Sequence, residues 1–278
     1  MPKLRIAAIS FLNTAPLMWD FEHGASAREL AKDFDIVYTV PSKCAEMLEK
    51  GEADIGIIPA ITYQTISDLL ILPDIAIATN GPVRSILYLS NKPLEGVKTV
   101  AADTSSRTSV ALLKILFAKW WRAKGQQPEF VPCDPDAKKM LKKCDAALLI
   151  GDPALVLDRS KYKTVIDLGE EWTARTTLPF VFAFWAVRKA AVENHPLKGR
   201  LAEIFKHSRA AGLESVDMIA LEWGPKLGIS QEDVVRYLTR DIDFNLEQNN
   251  LKGLYTYWKY AGELGVLKNI QRTSWISG

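Results

Sequence analysis

Leu4-Arg5-Ile6-Ala7-Ala8-Ile9-Ser10-Phe11-Leu12-Asn13-Thr14-Ala15-Pro16 is the stretch on which the fold turns. The apolar run Leu4 to Ile9 reads as a buried strand, and it empties into the polar turn SFLNTAP before the next helix. In α/β proteins the loops that follow strands present ligand-binding groups. Comparable polar turns stand at Gly81 to Ser85, Asp103 to Ser109 and Gly151-Asp152. Together these turns predict a cleft built from the ends of several strands.

Working outward, Asp35 to Val40 reads as a second strand. Pro41-Ser42 opens a helix that runs through Lys50 and stops at Gly51. Asp54 to Ile58 follows as a buried strand ended by Pro59. Such alternation argues for a mostly parallel sheet covered by helices. Ser85 to Leu89 is strand-like and leads into the break Asn91-Lys92-Pro93-Leu94, after which the pattern restarts. The second unit reads as strand Thr99 to Ala102, helix Ser105 to Lys124, strand Phe130 to Val131, helix Asp136 to Lys143 and strand Ala146 to Ile150. Phe180 to Val187 is a long apolar strand suited to carry the chain back, and from Asn194 onward the pattern is almost wholly helical. The expected class is α/β with two lobes: residues 1–88 plus 188–278 form lobe I, residues 89–187 form lobe II, and a ligand sits between them. Two lobes joined by two extended crossings resemble the type II periplasmic-binding-protein fold.

The 35 basic and 33 acidic residues nearly cancel, so the charge of +2 leaves no electrostatic footprint for nucleic acid. No apolar run approaches the roughly 20 residues that cross a bilayer. The start lacks a convincing secretory h-region and cleavage site. Cys44, Cys133 and Cys144 are odd in number and lack metal-ligand spacing, which fits reduced thiols in a cytoplasmic protein. Oligomeric state is not readable from the chain.

The segment Asp103-Thr104-Ser105-Ser106-Arg107-Thr108-Ser109 opens a helix, where unpaired N–H groups and the dipole favour an anion. One residue would suffice as an N-cap. Five hydroxyls within six residues exceed that need and favour a carboxylate or phosphate site, to which Arg107 adds charge. Ser105, Ser106, Arg107 and Thr108 are therefore candidate substrate contacts. Asn13 can donate and accept but cannot act as a base, and it either holds a substrate or forms a local Asx turn. Ser85, at the start of a crossing strand, either faces the cleft or is a buried strand hydroxyl. Gly151-Asp152-Pro153 reads most simply as a strand end with Asp152 capping a helix that has Pro153 at its first position, although the carboxylate could also serve as a base. Gly-rich phosphate loops, HExxH and Gly-x-Ser-x-Gly are all absent, and His23, His195 and His207 are dispersed. Metal, nucleotide, flavin and covalent-hydrolase mechanisms are therefore all weakly supported. The tryptophans, Trp172, Trp185 and Trp223 among them, suit core packing.

Taken together, SFLNTAP, ADIGIIP (Ala53 to Pro59), the Ser85 crossing, DTSSRTS, LIGDPAL (Leu149 to Leu155) and LPFVFAFW (Leu178 to Trp185) resemble the chorismate dehydratase family of the futalosine route to menaquinone. Leu254-Tyr255 through Gly262 and Leu267 are similar to its closing helix, so the likeness runs along essentially the whole chain. The resemblance implies a cofactor-free carbon–oxygen lyase that dehydrates chorismate to 3-[(1-carboxyvinyl)oxy]benzoate. It implies Asn13 and Ser85 as residues important for turnover, and Ser10, the Ser105–Thr108 segment, Gly151 and Asp152 as the substrate's surroundings. A binding or sensor protein for a small aromatic carboxylate would use the same cleft. The sister naphthoate synthase, on the same scaffold, would be expected to place a histidine in one of the polar turns.

Overall fold

A computed structural model describes residues 2–121 and 127–276. Two five-stranded mixed sheets carry the chain. The first contains β1 (Leu4–Ile9), β2 (Phe34–Thr39), β3 (Ile55–Pro59), β4 (Leu69–Thr79) and, far later, β10 (Phe180–Arg188), in the order β2-β1-β3-β10-β4. The second contains β5 (Ile86–Ser90), β6 (Thr99–Asp103), β7 (Glu129–Cys133), β8 (Ala146–Ile150) and β9 (Thr164–Asp167), in the order β7-β6-β8-β5-β9. β1 runs parallel to β2 and β3, and β6 runs parallel to β7 and β8. Each sheet is completed by an antiparallel strand, β10 beside β3 in the first and β5 beside β8 in the second. Of these parallel strands, β1, β3, β6 and β8 are short apolar runs buried on both faces, whereas the edge strands β2 and β7 are exposed or half-buried along most of their length.

The sheets change over earlier than the expected boundaries at 88/89 and 187/188. β5 already lies in the second sheet, and β10 lies wholly in the first, pairing with β3 and β4. The return crossing is therefore not the strand Phe180 to Val187 but the segment between Asp167 and Phe180, built on helix Leu168–Thr176. Phe180 pairs with Thr79, so the two crossings leave the first sheet side by side. Asp167 staples them. Its buried carboxylate accepts N–H bonds from Val83 and Arg84 on the outward crossing and from Gly169 and Glu170 at the helix start. Burial raises the Asp167 pKa against the pull of those bonds.

Two further departures have local causes. β4 is hidden in the sequence by Pro73-Asp74; Asp74 takes a φ of +68° and the pairing with β10 shifts register there. The tail beyond helix Gln248–Glu263 is extended, not helical, and is laid against β4 by Ile71 N–H donating to the Ser274 carbonyl at 2.8 Å. Helix Arg107–Leu116 continues as a π-turn to Trp121, and the rest of the expected helix, 122–124, lies outside the described residues. One continuous apolar core spans both sheets, joining Ile6, Ile57 and Phe184 to Tyr88, Leu112 and Leu148. Trp172 and Trp185 sit inside it. Among the described residues no helix is long and apolar enough to cross a membrane.

Candidate active site between the lobes

SFLNTAP folds as a short 3-10 turn, Leu12–Thr14, entered by the extended Phe11 and continued by helix Ala15–Glu22 with Pro16 in its first turn. This sets Asn13 at the carboxyl end of β1. Across from it, Ser106 is the N-cap of helix Arg107–Leu116, its hydroxyl accepting from Ser109 N–H at 3.2 Å. The two segments meet around a cavity of about 40 Å³ lined by Ile9, Phe11, Asn13, Ser106, Thr108 and Gly151, with Ile77, Ile86 and Phe182 closing the side nearest the crossings. Neither a histidine nor a carboxylate lines it.

Several bonds hold the lobes together at this cavity. Leu12 N–H donates to Asp152 Oδ1 at 3.0 Å, Ile61 N–H to Thr108 Oγ1 at 3.2 Å, and Ser42 N–H to the Ser105 carbonyl at 3.1 Å. Arg107 lies 3.6 Å from Glu46 on the rim. The lobes are closed. A cavity of 40 Å³ is far below the roughly 300 Å³ at which ligand pockets begin, so admission of an organic ligand requires these contacts to part. A separate groove of about 490 Å³ runs along the outer face of helix Arg107–Leu116, between Ile61, Val110, Phe130 and Leu267; it reaches Ser106 and Arg107 but not Asn13.

The structure thus brings together Asn13, Ser106, Thr108 and Gly151. Ser10 stands apart, exposed, with its N–H held by the Thr39 carbonyl. Ser105 turns away: its hydroxyl and N–H both go to Asp103, whose other oxygen accepts from Ile150 N–H. Burial raises the Asp103 pKa, with those bonds opposing it. Ser85 is fully buried at the mouth of the outward crossing, its carbonyl accepting from Gly151 N–H at 2.8 Å. Its hydroxyl accepts from the Tyr237 hydroxyl at 2.8 Å.

The capping role expected of Asp152 is not what the structure shows. Gly151 occupies the N-cap of the short helix Asp152–Leu155, and the Asp152 carboxylate crosses to lobe I to receive Leu12 N–H. A local helix-start reading favoured the cap, but Gly151 takes φ +67° and ψ −151°, a conformation that re-aims the chain and is essentially confined to glycine. Burial pushes the Asp152 pKa up to about 6, with the Leu12 bond opposing. Above that pH the group is mostly ionised and competent as a base. Its placement, on the backbone beside Asn13, makes it a holder of the turn.

Tyr237 is the member of this cluster that sequence reading missed. It opens a π-turn, Tyr237–Asp241, at the end of helix Gln231–Arg236, and is fully buried. Such turns recur at functional sites, but nothing in the local sequence separates this tyrosine from a core residue. The histidines lie elsewhere. His23 stacks on Trp19, His207 faces Asp20 at 3.7 Å, and His195 Nδ1 accepts from Leu197 N–H.

Two sheets of matching order, joined by paired crossings over a cleft, define a two-lobed binding-protein-like architecture. Solved structures agree on that fold. A protein from Archaeoglobus fulgidus superposes with a TM-score of 0.73 at 18% identity, covering 95% of this chain and 98% of its own. The periplasmic aliphatic sulphonate binding protein of Escherichia coli gives 0.67 at 15% identity, covering 97% and 95%. The family model for menaquinone biosynthesis matches residues 4–263, and the chain belongs to that family. It is 30% identical over 246 residues to the chorismate dehydratase of Thermus thermophilus, covering 82% of this chain and 87% of that one.

Proposed function

We propose that this chain is a chorismate dehydratase, a carbon–oxygen lyase converting chorismate to 3-[(1-carboxyvinyl)oxy]benzoate and water in the futalosine route to menaquinone. The observation that carries the reading is the convergence of Asn13, Ser106, Thr108 and Gly151 on one interlobe cavity, in a chain similar along its length to a chorismate dehydratase. The three thiols are free, which suits the reducing cytoplasm.

Chorismate carries two carboxylates. One is placed at the start of helix Arg107–Leu116, where backbone N–H groups and the dipole favour it. The other lies on the Asn13 and Ser85 side. The C–H bond at the ether-bearing ring carbon breaks, and its electron pair spreads through the ring alkene into the ring carboxylate. The neighbouring C–O bond then breaks; the hydroxyl leaves with a proton as water, and the ring becomes aromatic. Donors preorganised in a closed cavity stabilise the intermediate anion. The proton goes first to the substrate's own enolpyruvyl carboxylate, held in reach by Asn13 and Ser85, and that carboxylate returns it to the departing hydroxyl. This assignment is supported by the cavity lining, which offers no histidine or carboxylate.

Incubating the purified protein with chorismate and following mass tests the reading. A product lighter by one water is expected. Chorismate bound but recovered unchanged would make the chain a binder of aromatic carboxylates instead.

A further inference from the structure

We infer that Tyr237 is a positioning residue for this dehydration, acting through Ser85 by fixing which way the serine hydroxyl points. The inference rests on the function proposed above and adds to it a residue from the C-terminal helical section.

A serine hydroxyl has one hydrogen and can donate or accept, so a free Ser85 would be an ambiguous partner for an anion. Tyr237 removes the ambiguity. Its hydroxyl donates to Ser85 Oγ at 2.8 Å, which commits that oxygen as an acceptor and leaves the Ser85 hydrogen to point elsewhere. The bond therefore runs one way, from Tyr237 to Ser85, and the hydrogen left over is the one on Ser85. Burial holds the phenol well above its ordinary pKa, so it stays a donor throughout the working pH range.

The fold holds Tyr237 in this position from several sides. The Arg84 guanidinium, next to Ser85, lies 3.4 Å from both Asp233 and Asp241, which flank Tyr237 on its own segment. Thr79 Oγ1 donates to the Asp241 carbonyl at 2.9 Å. The tyrosine is thereby tied to both ends of the outward crossing on which Ser85 stands.

A double-mutant cycle tests this, with kcat, KM and Tm measured for wild type, Tyr237→Phe, Ser85→Ala and the pair. Phe keeps the ring and loses only the hydroxyl. Tyr237→Phe is expected to lower kcat about 10- to 100-fold with KM changed less than about threefold, and the double variant to be no worse than Ser85→Ala alone. Multiplying losses in the double variant, or a near-wild-type Tyr237→Phe, would overturn the inference. So would a loss that tracks a large fall in Tm. Wild-type turnover is read first: its absence rejects the dehydratase reading and the inference with it, whereas turnover that Tyr237→Phe leaves unchanged rejects the inference alone.

Discussion

Turnover of chorismate by the Asn13→Leu variant is expected to fall by about 10²-fold or more, the usual loss when a group that holds the reacting atoms in register is removed. Leucine approximates the shape of asparagine, so the turn Leu12–Thr14 and the Leu12 to Asp152 bond, which use backbone, should persist. The loss should therefore sit in kcat. Chorismate affinity should move less than about tenfold, because the helix-start carboxylate site on the opposite lobe is untouched. Titration calorimetry alongside steady-state kinetics separates the two. A variant that binds weakly yet turns over normally at saturation would make Asn13 a simple binding group.

The second large effect belongs to Gly151→Ala. A Cβ at this position would stand 2.5 Å from the Phe11 ring, and the backbone there, at φ +67°, already disfavours any side chain. Phe11 and Gly151 face each other across the lobes, so relief requires the Phe11 ring to swing away, the cleft to open or the turn that carries Asn13 to shift. Strain of about 1–3 kcal/mol, with the added overlap, should lower Tm by about 5 °C or more and turnover by at least about 30-fold. Gly228→Ala is the control. Gly228 has φ +68° but nothing within 4 Å of an added Cβ, and it lies on a helix end away from the cleft. It should lose some Tm and keep its activity. Equal activity loss in the two variants would show that backbone strain alone is responsible.

The contrast between these two glycines illustrates what the sequence carries. Continuous apolar runs made β1, β3, β6 and β8 legible, since strands buried on both faces need no alternation. Gly51 after Lys50 marked a helix end and takes φ +72° there. β4 was obscured by Pro73-Asp74, and helix Leu168–Thr176 by its threonines, although Asp167 followed three residues later by Glu170 is a capping signature that could have found it. The polar turns did mark the cleft, because loops at strand ends are where such folds place ligand groups. Which residues of each turn face inward was not legible. Ser105 and Ser106 are chemically equivalent neighbours, yet Asp103 takes the hydroxyl of one and the helix start takes the other. Partners across the fold were least accessible of all. Asp152 meets Leu12 from 140 residues away and Tyr237 meets Ser85 from 152 residues away, separations over which no local pattern carries information.

On the proposed mechanism the protein orients chorismate and the substrate supplies the base. The measurement closest to it is single-turnover formation of the dehydrated product by Asp152→Asn at pH 7.5. The amide oxygen of asparagine can still accept the Leu12 N–H, so the cross-lobe bond survives while the Asp152 carboxylate that could take a proton is gone. We expect the rate constant to stay within about tenfold of wild type, because a held turn costs little when its bond is retained. A fall beyond about 10³-fold, with chorismate affinity and Tm unchanged, would make Asp152 the base and contradict the account.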